Sequence, residues 1–387
     1  MKILYIANVR IPTEKAHGHQ IMKVCETLSD QSVDLKLVLP TRINKPFKGV
    51  NPYDFYNVKN NFKIQKIWTP DPTFLLKFPA GLYIKFQSLF FIKSLVLYFL
   101  LTSRKDKIVY TRDEYLLPFL QLFFKSVVWE AHALPNKLDR YVKYLKKCHK
   151  IVVLTGNMKK QLIDVKIAGD NILVSPDAVD LSIFDIDMAR DQARKKLGLP
   201  EDDVLLGYTG SFKTKGMDKG ISDILKSLKL VNSKIKLKFM AVGGNEADTD
   251  YYKQITGDLG VGDRVEFISK VDQKSLAIYQ KAFDILLMPF PYTKHYANFM
   301  SPLKMFEYLA ARRPIVATKL PTILEILDNR SAYLIEPDNP GAIARAIEDL
   351  VEDHDKSQSL ADTAYDLSKK YTWKKRSEEI VKFIAVK

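Results

Sequence analysis

Ser301-Pro302-Leu303-Lys304-Met305-Phe306-Glu307-Tyr308-Leu309-Ala310-Ala311, followed by Arg312-Arg313-Pro314 and then Ile315-Val316-Ala317, reads as a helix feeding a buried strand. Ser301 is an N-cap candidate, and Pro302 suits the first helical position, where its missing N–H is no loss. The free N–H groups of that first turn can face an anion. Glu307 lies near the helix start, where it either favours the dipole or serves a ligand.

The same alternation runs along the whole chain. Around this segment, strands are predicted at Val204–Tyr208, Lys236–Val242, Arg264–Ile268, Ile285–Met288 and Ala332–Ile335, with a helix at Ile221–Leu228. Earlier strands are predicted at Lys2–Asn8, Val33–Leu39, Phe62–Trp68, Ile108–Tyr110, Ser126–Trp129, Ile151–Leu154 and Ile172–Val174. Helices at Gly18–Ser29, Leu82–Leu101, Leu116–Phe124, Leu138–Lys147 and Met158–Asp164 interleave with them. Short apolar strands alternating with helices specify α/β architecture with doubly wound parallel sheets. Between Asp185 and Asp203 the pattern gives way to a polar stretch with one short helix, Ala189–Leu197. The chain is therefore divided into domains 1–185 and 186–372. A last helix from Trp373, apolar at Ile380, Val381, Phe383 and Ile384, docks on one of them.

Of 387 residues, 47% are hydrophobic and 27% charged, which excludes wholesale disorder. The net charge of +15 is lopsided. Residues 1–185 hold 28 basic and 16 acidic side chains, and the rest hold 32 and 29. An anionic partner would meet the N-terminal half; the plain alternative is a basic surface that maintains solubility. No nucleic-acid-binding motif accompanies the charge. Cys25 and Cys148 form neither a disulfide framework nor a zinc cluster, as in a reducing, cytoplasmic compartment. Met1–Ala7 reads as a first buried strand rather than a signal peptide.

Leu82–Leu101 has the length of a membrane span, but Lys85, Gln87 and Lys93 interrupt it. Each lysine near mid-span costs about 2.5–3.5 kcal/mol. The favoured reading is a long amphipathic helix with a broad apolar face in the core. The alternative is a helix in the bilayer interface, with Lys77, Lys85 and Lys93 toward headgroups.

Ligands of open parallel sheets bind in the loops beyond the C-terminal strand ends. Five loops qualify here. Val9–Gln20 contains Gly18 before a helix, flanked by His17 and His19. Thr111-Arg112-Asp113-Glu114 offers either a binding pair or a structural salt bridge. Glu130-Ala131-His132 follows an apolar strand, and a histidine there can hydrogen-bond a hydroxyl or move a proton. Thr209-Gly210-Ser211 opens a loop that carries Lys213, Lys215 and Lys219, in which glycines let the backbone approach a phosphate and lysines supply charge. The loop lacks the spacing of a P-loop. The fifth is the Ser301 segment itself.

Ser301–Ala310, with Pro314-Ile315-Val316-Ala317 and Pro321, resembles the family 4 retaining glycosyltransferases. Further matches in the same order are Glu130-Ala131-His132, Ser175–Asp180 with Phe184, Tyr208-Thr209-Gly210, Lys219-Gly220, Ala241–Gly244 and Trp373. The resemblance implies the GT-B fold, two Rossmann-like doubly wound parallel-sheet domains facing across a cleft. It implies that 1–185 receives the acceptor, that 186–372 binds the nucleotide-sugar donor, and that the helix at about 373–387 packs back on the first domain. Glu307 matches the second glutamate of the family's Glu-x7-Glu motif, which holds the ribose hydroxyls. Ser301, Pro302, Leu303 and Lys304 match the helix start that takes the donor diphosphate, beside Gly210 and Ser211. Lys219 matches the phosphate lysine if the loop carries a three-residue insertion, and Lys215 is the other candidate. Gly18 matches a glycine close to the transferred sugar, His132 a cleft histidine, and Arg112 and Glu130 fall on the acceptor side.

Two positions depart from the family pattern. Phe299 stands where the first motif glutamate belongs, and Ser211 where an arginine often follows the glycine. The sugar contact then falls to Asn298, His295 or backbone. The expected activity is retaining transfer from a nucleotide-diphosphate sugar, by default a UDP-sugar, to a glycan or lipid-linked acceptor in cell-surface polysaccharide or glycolipid synthesis. No cofactor and no metal are expected; the Asp185/Asp187 and Asp248/Asp250 pairs read as surface charge. An anionic membrane surface is a further expected partner, with the protein peripheral on the inner face. A non-catalytic nucleotide-sugar-binding subunit and a sugar-nucleotide epimerase on the same fold are the alternatives.

Overall fold

The computed structural model describes residues 1–78, 80–214 and 216–386. The chain forms two compact units, Met1–Ser175 with Trp373–Lys387, and Pro176–Thr372. Both are Rossmann-like α/β units built on parallel sheets.

The strands of the first unit are β1 (Lys2–Ile6), β2 (Asp34–Pro40), β3 (Lys63–Ile67), β4 (Lys107–Thr111), β5 (Val127–Ala131), β6 (Lys150–Val153) and β7 (Ile172–Val174). They lie in the order β3-β2-β1-β4-β5-β6-β7, all parallel. Helices cover both faces, so central strands are apolar without alternation; β5 and β6 are buried along their whole length. The second unit has β8 (Val204–Thr209), β9 (Lys213–Thr214), β10 (Met217–Asp218), β11 (Leu237–Gly244), β12 (Val265–Ser269), β13 (Ile285–Met288), β14 (Ile315–Thr318) and β15 (Tyr333–Ile335). Six of these make a parallel sheet in the order β12-β11-β8-β13-β14-β15, and β9 and β10 form a small antiparallel hairpin. In each sheet the chain reverses its winding beside the first strand, β1 or β8. That is where a doubly wound sheet opens to ligands.

The terminal helix Trp373–Ala385 belongs to the first unit. It packs on the helix Ala16–Ser29, where the Thr27 and Ser377 hydroxyls meet at 2.5 Å, and Ile380 and Ile384 are buried. The sequence boundary at 185 moves upstream to Ser175/Pro176. Val179, Ile183 and Phe184 are core residues of the second unit, and Val179 bridges to Thr372.

Two helices differ from expectation. The segment expected as Leu138–Lys147 is a 3-10 turn, Leu138–Arg140, then a four-residue helix, Val142–Leu145. The helix Ala80–Leu101 is not amphipathic with a broad face in the core. Its apolar side chains are spread around the helix, with Lys85, Gln87 and Lys93 among them, and only a narrow stripe of Tyr83, Phe91, Leu95 and Phe99 is buried. Gly81–Leu101 is long and apolar enough to cross a membrane by length and composition.

Candidate functional site

In the second unit, polar side chains converge where β8 ends. Gly210 follows β8 with φ +104°, and Gly243 of β11 has φ +115°. A methyl group on Gly243 would lie 3.0 Å from the Gly210 carbonyl, so Gly243 is required by this close approach and Gly210 by its positive φ. Lys304, in the helix Leu303–Ala310, arches over the pair. A methyl on Gly210 would sit 3.5 Å from its Cε. The Lys304 Nζ lies 3.3 Å from the Tyr208 ring centroid, is buried, and has no hydrogen-bond partner among the described residues. Burial, then the charge of Lys219, holds its amine well below the ordinary range; Glu307 and Asp218 oppose this. Lys219 itself is pushed down to about 8 by burial, and its Nζ donates to Ser211 Oγ at 2.7 Å. Two desolvated amines beside an open glycine turn form a site for an anion, whose charge would favour their protonated forms.

Glu307 stands one turn along the same helix, half-buried, with its carboxyl pushed up to about 7 by burial. Gln280 Nε2 donates to Glu307 Oε2 at 3.2 Å and to Thr209 Oγ1 at 2.9 Å. Tyr308 completes the scaffold, its hydroxyl accepting from Thr209 N at 2.8 Å. A carboxylate in this position can accept hydrogen bonds from a vicinal diol while the two lysines meet an anionic group.

Ser301 is not the helix cap. Pro302, at φ −81° and ψ 124°, occupies that position, and Ser301 Oγ instead accepts from Asp177 N at 2.9 Å. The hydroxyl ties the loop before the helix to the segment Ser175–Asp180. Leu303 opens the helix as its first residue. The loop leading to Lys219 carries the small β9–β10 hairpin; Lys215 lies outside the described residues. Asn298 is in the helix Lys294–Phe299, its Nδ2 donating to Lys294 O at 2.7 Å.

In the first unit, Glu130 and Ala131 are the last residues of β5 rather than loop residues. Glu130 is 1% exposed. Its Oε1 accepts from Arg376 at 2.8 Å and meets His132 Nε2 at 2.7 Å, and its Oε2 accepts from Tyr110 at 2.5 Å. Despite its burial, Arg376 and His132 hold this carboxyl well below the usual range. It cannot reach an acceptor; it orients His132. Burial and the nearby Arg112 push the His132 imidazole down to about 3, so the ring is neutral. The ionised Glu130 accepts a hydrogen bond from Nε2–H, which makes Nδ1 the acceptor nitrogen. Arg112 and Asp113 find separate partners: Arg112 donates to Gln20 Oε1 at 3.2 Å, and Asp113 accepts from Asn8 N at 2.8 Å. Gly18 is required by its neighbour, since a methyl there would fall 2.3 Å from the Tyr56 hydroxyl, which clasps the backbone of Thr13. An open cavity of about 540 Å³ beyond β1 and β2 is lined by Arg10, Arg42, Lys45, Lys48 and Lys66, a basic surface for an anionic group.

Gln280 and Arg376 escaped the sequence reading, and Thr209 and Tyr308 stood inside quoted motifs without a role of their own. Gln280 leaves one trace: it lies one turn from Ala277 on the narrow buried face of a helix that is for the most part partly or fully exposed.

Residues 189–367 match the family described as Glycosyl transferases group 1. A D-inositol 3-phosphate glycosyltransferase of Stackebrandtia nassauensis is 26% identical over 239 residues, covering 60% of this chain and 52% of the relative. An uncharacterised glycosyltransferase of Methanocaldococcus jannaschii is 20% identical over 247 residues, covering 62% and 60%. The chain thus spans about half the length of the curated relatives it matches. In fold, it is similar to Anabaena HepE in complex with UDP (TM-score 0.71, 14% identity, both chains covered completely). It is also similar to the sucrose-phosphate synthase of Thermosynechococcus elongatus (TM-score 0.79, 15% identity, 99% and 98% covered). Residues 189–367 thus carry the pattern of the group 1 glycosyl transferases, and the two parallel-sheet units share the GT-B, two-domain Rossmann-like fold.

Proposed function

We propose that the protein is a retaining, metal-independent glycosyltransferase that moves a hexosyl group from a nucleotide-diphosphate sugar to a glycan or lipid-linked acceptor. The observation that carries this reading is the convergence of Lys304, Lys219 and Glu307 on Gly210, at the C-terminal end of β8. Glu307 would hold the ribose hydroxyls. Lys304, Lys219 and the amides at the start of Leu303–Ala310 would stabilise the departing diphosphate, an electrostatic role that grows as charge develops. The bond from the anomeric carbon to the diphosphate breaks, and the acceptor oxygen bonds to that carbon on the same face through a short-lived ion pair. The acceptor proton passes to the departing phosphate oxygen. His132, neutral and oriented by Glu130, would accept a hydrogen bond from a hydroxyl of the transferred sugar.

UDP is the default nucleotide, and HepE, a protein of similar fold, has been crystallised with UDP and with UDP-glucose. The basic first unit suits an acceptor with an anionic group, as in cell-surface polysaccharide or glycolipid synthesis at the inner face of the membrane. The test is calorimetric titration with UDP, GDP and ADP without metal, on wild type and Glu307→Ala, followed by turnover assays with the sugar derivatives of the nucleotide that binds. Micromolar binding lost in the variant, with sugar transfer, supports the reading. Binding without turnover favours a nucleotide-sugar-binding subunit, to which Phe299 and Ser211 point. Release of an isomerised nucleotide sugar would identify an epimerase.

A further inference from the structure

The helix Ala80–Leu101 leaves most of its apolar surface outside the core. Its buried residues, Tyr83, Phe91, Leu95 and Phe99, follow at four- or eight-residue steps and form one stripe. The opposite face carries Leu82, Phe86, Leu89, Leu97 and Leu100, each between 38% and 69% exposed. Just upstream, the 3-10 turn Thr73–Lys77 adds Phe74 and Leu76, and Trp68, at the end of β3, is 78% exposed. A contiguous apolar surface of this kind marks an interaction site. The charge around it is one-sided. Between Asp71 and Asp106 the chain has five basic residues, Lys77, Lys85, Lys93, Arg104 and Lys105, and no acidic one.

We infer that this face is a bilayer-docking surface selective for anionic lipid. The helix lies in the plane of the interface, with Leu82, Phe86, Leu89, Leu97 and Leu100 among the acyl chains. Lys85 and Lys93 extend their aliphatic stems along the apolar face and place their amines at the headgroups. Spanning is disfavoured by the buried stripe. The Tyr83 hydroxyl accepts from Arg10 at 2.5 Å and donates to Asp71 at 2.7 Å, and Phe99 packs against Phe119, Phe123 and Phe124. Insertion across the bilayer would strip these contacts and carry both lysines into hydrocarbon. A second copy of the chain is a poor occupant, because the two faces would oppose five like charges each without an acidic complement. A negatively charged headgroup layer is complementary, and each lysine near it strengthens binding roughly fivefold. This surface deepens the membrane-borne acceptor reading above and rests on it for its purpose.

The test uses the full chain and two sets of vesicles, phosphatidylcholine alone and phosphatidylcholine mixed with phosphatidylglycerol. Trp129 and Trp373 are buried, so Trp68 is the reporter. We expect sedimentation with the phosphatidylglycerol vesicles, a blue shift of the Trp68 emission, and release by alkaline carbonate. Leu89→Asp combined with Leu97→Asp should weaken partitioning roughly tenfold or more. These positions are exposed, so the circular dichroism melt and the UDP titration should not change. Lys77→Ala, Lys85→Ala and Lys93→Ala together should remove most of the preference for phosphatidylglycerol. No vesicle binding by wild type, an unchanged affinity of the Leu89/Leu97 variant, resistance to carbonate, or a concentration-dependent dimer that this variant dissolves would each overturn the proposal. Failure to bind UDP would instead strike the functional reading, leaving the vesicle result to stand.

Discussion

Gln280 holds Glu307 in place, donating through Nε2 to Glu307 Oε2 at 3.2 Å while the same nitrogen reaches Thr209 Oγ1 at 2.9 Å. The amide links the helix carrying the carboxyl to the end of β8. Gln280→Ala should therefore weaken UDP binding about tenfold, the value of one or two hydrogen bonds to a charged group. Isothermal titration of the variant measures this directly. A Kd equal to that of wild type would remove Gln280 from the positioning of Glu307.

The raised Glu307 carboxyl predicts opposite effects of pH on binding and stability. A folded pKa of about 7, against an ordinary value of 4.5, means that the folded state gains protons over the intervening range. Its stabilising contribution is complete below the ordinary value and is lost as pH rises through about 7. Glu307→Gln should then be more stable than wild type at about pH 8, by on the order of 3 kcal/mol, and nearly equal to it at about pH 5. A diol prefers the carboxylate as acceptor, so wild-type UDP affinity should rise from about pH 6 to 8. The Glu307→Gln variant retains the titration of the phosphate and serves as the control. Parallel pH profiles for the two proteins would contradict the ribose role.

Lys304 is buried beside Gly210 with no hydrogen-bond partner among the described residues. A buried amine in that state is a cost in the folded protein that an anionic ligand relieves. Lys304→Met should leave the melting temperature unchanged or raise it, while UDP binding falls at least about tenfold. UMP, with one phosphate fewer, should lose less. Equal losses for UMP and UDP would mean that the lysine meets the nucleoside or serves only packing.

The strands and their parallel order were legible because buried strands of doubly wound sheets are nearly continuous apolar runs, as at Ile285–Met288 and Val204–Thr209. Glu307 was visible for a different reason, since it lies near a helix start and matches the second glutamate of the Glu-x7-Glu motif in the resembling family. What escaped depends on distant pairing. Arg376 lies 246 residues from Glu130 in sequence, and the apolar positions that mark the terminal helix as docked do not tell which buried charge its arginine meets. The exposure of the helix Ala80–Leu101 was also hidden, because periodicity cannot distinguish an apolar surface that is covered from one that is bare.

The neutral His132 predicts a pH profile without a histidine step. Its imidazole is pushed down to about 3, and Glu130 accepts a hydrogen bond from Nε2–H, so the ring keeps one protonation state over the working range. Sugar-transfer rates should show no inflection near the ordinary histidine value that His132→Gln removes. His132→Ala should lower kcat about a hundredfold while the UDP Kd stays within about twofold. Loss of UDP affinity in His132→Ala would place the histidine in donor binding rather than in the handling of the sugar.

Arg376 and Glu130 form an ion pair in which both side chains are at most 3% exposed. Removing one partner leaves a charge in the core, so Arg376→Ala should destabilise the first unit by about 3–5 kcal/mol. The pH dependence identifies the cause. In wild type the Glu130 carboxyl is depressed, and its contribution is present above the ordinary value of 4.5 and is lost only as pH falls through the lower folded value. Without the guanidinium the same buried carboxyl is raised, and the variant recovers stability as acid neutralises it. The deficit of Arg376→Ala, measured by urea denaturation, should therefore shrink from about pH 7 to 5. Adding Glu130→Gln should rescue part of it at neutral pH. A deficit independent of pH and untouched by Glu130→Gln would assign the loss to packing of the terminal helix, through contacts such as that between Thr27 and Ser377.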